Sequence, residues 1–189
     1  MRPVKRLFDL LFSSVGLVLL AVPMALIAIL VKLTSTGPVL YWSDRVGVDN
    51  EIFRMPKFRT MACDAPEMAT HLLPDPQRHL TSIGRLLRTT SLDELPQLYC
   101  ILKGDLSFVG PRPALHNQGD LIELRTQLGV HRLVPGLTGW AQINGRDELP
   151  IPVKVQFDAY YLKNRSLWLD VKILVCTPFK VLLGEGVSH

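Results

Sequence analysis

Two adjacent carboxylates, Asp93 and Glu94, sit just before Pro96 in the stretch SLDELPQLY, residues 91–99. Such a pair is suited to phosphate chemistry in two ways. One carboxylate can hold a hard divalent cation such as Mg²⁺, which commonly takes one or two carboxylates plus phosphate oxygens of a substrate. Alternatively, a carboxylate can attack phosphorus itself and form an acyl phosphate. The cations that would accompany this chemistry are present. Lys57 and Arg59 alternate along PKFRTM, which in a strand puts both on one face. Arg85 and Arg88 lie shortly before the pair, and Arg112 is braced between Pro111 and Pro113. Arginine's planar fork suits bidentate phosphate recognition, so Lys57, Arg59, Arg88 and Arg112 could together clamp a diphosphate. An Asp-Glu dipeptide is common, and each cation taken alone reads equally well as part of a solvated face. Residue types therefore pose the hypothesis without showing that the groups converge.

The acidic pair also reads as a helix start. Ser91-x-x-Glu94 fits a capping box, with the serine oxygen accepting from the third backbone N–H and the glutamate reaching back. Pro96 then falls inside the helix, where its missing N–H leaves the Leu92 carbonyl without a partner and predicts a kink. A helix N-terminus here would favour the ionised form of Asp93 and attract phosphate.

The elements that must position these groups begin with an apolar run. Leu10 to Val31 carries no charge, and 22 residues would reach about 33 Å as a helix, close to a bilayer core. Pro23 predicts a kink, and cations flank both ends, with Arg2, Lys5 and Arg6 before and Lys32 after. A kinked helix that enters and returns through one leaflet satisfies those flanks; a straight span, a secretory signal and a buried helix are the alternatives. Beyond the turn Thr34–Pro38, two strands are expected around Asp49-Asn50. Residues 62–80 read as a mobile, proline-containing surface segment. A short helix, the acidic turn, an amphipathic helix through Leu102 and a Gly/Pro-rich loop follow. Helices are expected near residues 121–128 and in VKVQFDAYYLKNRS. The segment from Trp168 onward suits either a membrane interface or a core helix.

Composition excludes several classes. Cys63, Cys100 and Cys176 are widely spaced and form no C-x-x-C pair, which argues against a disulfide framework or a zinc site. His71, His79, His116, His131 and His189 lack metal-ligand spacing. No phosphate loop, nucleophile elbow or dinucleotide fingerprint occurs. The net charge of +4 is modest, and no basic run interleaves with aromatics, so nucleic acid is not the expected partner.

The runs KFRTM (57–61), RTTSLDELPQLYCILKGDLSFVGPRP (88–113) and PGLTGWAQINGR (135–146) resemble the bacterial sugar transferase family of monotopic polyprenyl-phosphate phosphoglycosyl transferases. With the apolar helix included, the resemblance covers nearly the whole chain and looks like the small, minimal members. It implies an α-rich α+β fold: a re-entrant membrane helix over 1–33, then a compact cytoplasmic catalytic domain over 34–189 with interfacial amphipathic helices and a small β element. It further implies transfer of a sugar 1-phosphate from a UDP-sugar to undecaprenyl phosphate, at the cytoplasmic face of the bacterial inner membrane and in contact with phospholipid. On this resemblance Asp93 is the nucleophile and the Mg²⁺ ligand, and Glu94 completes the pair. Lys57, Arg59, Arg88, Pro111, Arg112, Pro113 and Arg146 are then expected to bind substrate. The family's Ser-Pro at the helix break is Val22-Pro23 here, which puts the stabilisation of the kink in question. Two other classes are open: a membrane-anchored scaffold, and a metal-dependent diphosphatase acting on nucleotide-sugars. Residues 62–80 and ALHNQGDLIELRTQLGVHRL are the expected sites of donor selection.

Overall fold

The computed structural model describes residues 3–65, 76–145 and 149–182. The uncharged run folds as two helices, α1 (Pro3–Leu19) and α2 (Ala21–Thr34), bent by 60° where they meet. The bend lies at Leu20, upstream of Pro23. Proline cannot donate to the carbonyl four residues back, here Leu19, and its ring crowds that carbonyl, so the chain breaks one turn before it. The bonds on either side survive: Leu20 N–H donates to Gly16 at 2.9 Å and Met24 N–H to Leu20 at 2.8 Å. The Ser13 hydroxyl donates to the Leu10 carbonyl, well upstream of the break.

Among the described residues no single helix is long and apolar enough to cross a membrane, although the bent pair taken together is, by length and composition. One side of the pair packs on the rest of the chain. Leu17 and Leu20 meet a cluster of Met55, Leu98, Cys100, Ile101 and Leu106, while Ile27 and Val31 are buried with Phe58 and Leu87. The other side leaves Leu11, Val18, Leu19, Val22, Leu26 and Leu33 exposed.

The charges of α1 turn inward rather than out. Lys5 Nζ pairs with Asp170 at 2.7 Å, Arg6 donates to the Ile101 and Leu102 carbonyls, and buried Asp9 accepts the Phe108 N–H at 3.1 Å. Tyr161 OH also donates to Asp170, at 2.6 Å. Replacing Asp170 by alanine leaves Lys5 and Tyr161 without this acceptor, and should lower unfolding stability by about 3 kcal/mol, measurable as a fall in the thermal midpoint.

The two expected strands are β1 (Leu40–Val46) and β2 (Ile52–Phe58), antiparallel, with Tyr41 opposite Lys57. Their connection holds Asp49 and Asn50 at positive φ, 52° and 64°, which these two residue types tolerate best after glycine. Of the segment 62–80, residues 66–75 lie outside the described residues, and Pro76–His79 is a short 3₁₀ helix. Helix α3 (Gly84–Thr89) leads to the acidic turn.

That turn departs from the capping box. Ser91 is left-handed, φ 56°, and makes no side-chain cap. Leu92–Gln97 winds as a 3₁₀ helix with Pro96 inside, and α4 (Leu98–Lys103) begins only after it. Glu94 does not reach back, because its carboxylate is held by cations from other elements.

A second pair of strands, β3 (Ser107–Val109) and β4 (Gly136–Thr138), runs parallel. Between them lies α5 (Gly119–Gln127), and after them α6 (Trp140–Ile143), α7 (Ile151–Asn164) and α8 (Leu167–Leu182). The expected α-rich α+β class is what the chain adopts. Helix α8 packs one face into the core and exposes the other. Leu169 and Ile173 join the core with Val109, Leu133 and Tyr161, while Trp168, Val175 and Phe179 project outward.

Candidate active site

Strand β2 delivers Lys57, and the 3₁₀ turn delivers Asp93 and Glu94. Lys57 Nζ lies 2.7 Å from Glu94 Oε1 and 3.9 Å from Asp93 Oδ2. Arg112 closes on the same Glu94 oxygen from the Pro-Arg-Pro loop, at 3.1 Å. Arg88, from the last turn of α3, bonds Thr60 Oγ1 at 2.9 Å and acts electrostatically on Asp93. Three of the four clamp cations therefore gather around the acidic pair.

Arg59 does not join them. Strand β2 ends at Phe58, which breaks the alternation that put Lys57 and Arg59 on one face. The Arg59 guanidinium, 4% exposed, donates to the Ser35 and Thr36 carbonyls just past the C-terminus of α2, to Ser35 Oγ at 2.7 Å and to Cys63 Sγ at 3.0 Å. It satisfies carbonyls that a helix end leaves open. Arg85 bonds Gln77, near the surface. Arg146 lies outside the described residues.

The two acids differ in environment. Burial works against the charge on Glu94, but Lys57 and Arg112 outweigh it and hold the carboxyl well below its usual range. Asp93 is only 7% exposed. Burial raises its carboxyl above the ordinary value, Glu94 adds like-charge repulsion, and Lys57, Arg88 and Arg112 offset this incompletely. The helix-start expectation of a favoured carboxylate is thus reversed: a short 3₁₀ segment without a side-chain cap supplies too little positive potential against burial. Arg88 is pulled below its usual value by burial, against the attraction of Asp93.

The Pro-Arg-Pro loop is held by its carbonyls, since prolines have no N–H to offer. Pro111 accepts from Gly136 N–H at 2.9 Å and Ala114 from Val46 N–H at 3.0 Å. Arg112 accepts from Arg125 at 2.8 Å, and Pro113 from Arg45 at 3.3 Å. Glycine is required where β4 passes this loop, because a Cβ on Gly136 would run into the backbone of Gly110. Thr60, Arg125, Asp158 and Arg45 thus support the site. Nothing local in the sequence marks them, since these contacts span 13 to 68 residues.

The acids and cations line a cleft of about 1360 Å³. Its apolar wall includes Leu20 at the helix bend and Leu174 of α8, and its rim includes His116 and Asn117 from the segment expected to select the donor. Among the described residues no three His, Cys, Asp or Glu side chains cluster as a complete metal cage. Asp93 can supply one carboxylate to a Mg²⁺ that takes its other ligands from water and a diphosphate, and this is the usual way Mg²⁺ binds with phosphate substrates. Glu94 is already engaged by two cations.

A family model described as bacterial sugar transferase matches residues 1–184. The chain is 45% identical over 187 residues to the uncharacterized sugar transferase EpsL of Bacillus subtilis (strain 168), covering 98% of this chain and 90% of that one. It is 36% identical to a UDP-N-acetylgalactosamine-undecaprenyl-phosphate N-acetylgalactosaminephosphotransferase of Aeromonas hydrophila, over 97% of this chain and 44% of the relative. It is 37% identical to the UDP-glucose:undecaprenyl-phosphate glucose-1-phosphate transferase of Escherichia coli (strain K12), over 98% and 41%. The chain thus spans nearly all of EpsL and less than half of the other two.

Proposed function

Starting from the premise that the chain belongs to the bacterial sugar transferase family, we propose that it moves a sugar 1-phosphate from a UDP-sugar to undecaprenyl phosphate, releasing UMP. The observation that carries this reading is the acidic pair inside a three-cation cluster at the mouth of a large cleft. Relatives that act on two different donors, by their names, support the reaction class.

In the proposed sequence an Asp93 carboxylate oxygen attacks the sugar-bearing phosphorus. The bond from that phosphorus to the bridging oxygen breaks, and UMP leaves with the electron pair. A phosphate oxygen of the lipid then attacks the same phosphorus and displaces the Asp93 carboxylate, restoring the enzyme and forming the lipid diphosphosugar. Phosphoryl transfer depends mainly on positioning and charge neutralisation. Lys57, Arg88 and Arg112 supply both, and Glu94 holds Lys57 and Arg112 in place. Asp93 is the residue that would hold Mg²⁺, and a bound ion would neutralise diphosphate charge.

Attack needs the ionised form of Asp93, so activity should fall on the acidic side at a pH above the ordinary carboxylate range. Glu94→Gln removes the repelling neighbour and leaves Lys57 free to attract Asp93. Its kcat/KM profile should therefore lose activity at lower pH than the wild type, even as the less firmly held cations reduce its maximum by about tenfold. An acid limb unchanged by this substitution would remove Asp93 as the titrating group.

The exposed apolar faces of α1, α2 and α8 suit a bilayer, with the bent pair dipping into one leaflet as a re-entrant hairpin from the cytoplasmic side of the inner membrane. That placement would keep the cleft near lipid phosphate and soluble UDP-sugars together. Cysteines introduced at Arg2 and Lys32 should both resist impermeant labelling in intact cells; labelling of the N-terminal one from outside would establish a straight span.

The deciding assay is UMP release by purified protein from a panel of UDP-sugars with Mg²⁺, with and without undecaprenyl phosphate. Lipid-dependent release with at least one donor is expected. Lipid-independent release of free sugar phosphate would identify a diphosphatase instead.

A further inference from the structure

We infer that Arg125 and Asp158 are positioning residues that fix the Arg112 guanidinium for phosphate binding. This rests on the role proposed above for Arg112. Arg125 on α5 is 8% exposed and Asp158 on α7 is 1% exposed. Arg125 gives two of its nitrogens to one carboxylate oxygen, Nε at 3.0 Å and Nη2 at 2.6 Å from Asp158 Oδ2. Its third nitrogen, Nη1, donates to the Arg112 carbonyl at 2.8 Å.

Two physical arguments separate this from ordinary packing. A charge pair this deeply buried contributes little to stability compared with well-packed apolar residues of similar volume, so its presence calls for another reason. Residues 111 and 113 are prolines, so their nitrogens offer no N–H, and the backbone beside Arg112 must be gripped by its carbonyls. Only a planar fork can spend two nitrogens on a carboxylate and aim a third at a carbonyl. From that fixed backbone the Arg112 side chain, 39% exposed, reaches Glu94 at 3.1 Å and still faces the cleft. Asp158 orients Arg125, Arg125 holds Arg112, and Arg112 meets the acidic pair.

The test is a double-mutant cycle on UMP release at saturating and limiting donor, alongside UDP affinity. Arg125→Lys keeps a charge for Asp158 but cannot hold both partners, and it should lower kcat/KM about tenfold or more while remaining folded. In an Arg112→Ala background the same substitution should cost less than about threefold, because the group it positions is gone. Losses that multiply equally in both backgrounds overturn the inference, as does an Arg125→Lys enzyme within twofold of wild type. A second variant, Arg125→Met with Asp158→Leu, guards against simple unfolding. It should match the wild type in thermal midpoint yet show the same tenfold loss, and full activity in that variant would leave the pair a purely structural role. The inference can fail while the wild type still releases UMP, and failure of the proposed function would show as no release by the wild type with any donor. In that second case the coupling is read from UDP affinity alone, where Arg125→Lys should weaken binding only when Arg112 is present.

Discussion

Asp93→Asn should abolish sugar 1-phosphate transfer, lowering UMP release at least about 10³-fold, while leaving the protein as stable as the wild type or more so. The first half follows from losing the protein's own nucleophile in the proposed sequence, since removing a covalent nucleophile leaves only the catalysis supplied by binding and charge stabilisation. The second half follows from burial. Because the folded state raises the Asp93 carboxyl above its unfolded value, folding favours its neutral form. Stability from this group is therefore full below the unfolded carboxylate range and is lost as pH rises through the raised value. A neutral amide at position 93 escapes that loss at neutral pH. The variant should also fail to retain labelled sugar phosphate from the donor after denaturation, whereas the wild type, given donor without lipid, should carry label. Transfer at the wild-type rate would reduce the acids to a folding role and the chain to a scaffold. A marked fall in thermal midpoint would mean that the charge on Asp93 supports the fold, contrary to the burial argument.

Lys57→Met should have the next largest effect, and it should be visible in three quantities. Lys57 pairs with Glu94 and also lies 3.9 Å from Asp93. Removing it takes away the largest attraction opposing the burial of Asp93, so the acid limb of kcat/KM should move to higher pH. Transfer should fall about 10²-fold from lost phosphate neutralisation. Stability at neutral pH should fall by about 2 kcal/mol, since Glu94 loses one of its two partners. The sign with pH is opposite to that of Asp93. Glu94 is held below its unfolded value, so its contribution is present above the ordinary glutamate range and fades on acidification. The stability gap between wild type and variant should therefore narrow as pH falls through that range. A gap that widens would mean that Lys57 supports the fold through some other group.

The sequence disclosed the site more fully than it disclosed the geometry around it. Asp93, Glu94, Lys57, Arg88 and Arg112 were readable because phosphate chemistry needs those residue types and a proline brace is visible as letters. The two strands about Asp49-Asn50 and the broken apolar helix were readable because alternation, turn residues and proline act within a few positions. Arg59 lines the same cleft but turns its guanidinium to the Ser35 and Thr36 carbonyls and not to the acidic pair, since period-two reasoning holds only while the strand continues and β2 stops one residue short of it. The Ser91 cap failed for a related reason. The motif matched, but Lys57 and Arg112, brought from distant segments, bind the Glu94 carboxylate more strongly than one backbone N–H could. Arg125 and Asp158 left no trace, because their meaning comes from a contact between α5 and α7 and from the carbonyl of a third segment.

The inward-facing charges of α1 have a consequence for the order in which the protein assembles. Arg6 finds its carbonyls 95 and 96 residues further along the chain, Asp9 its amide 99 residues on, and Lys5 its carboxylate 165 residues on. Synthesis makes this helix well before Asp170, so α1 has its apolar face formed while its polar partners are still missing. Closing such distant contacts is entropically slow. The latch between α1 and α8 therefore completes the fold instead of nucleating it. Truncation before Asp170 should then yield chains sensitive to protease at α1, with protection arriving only when the chain is long enough to carry α8.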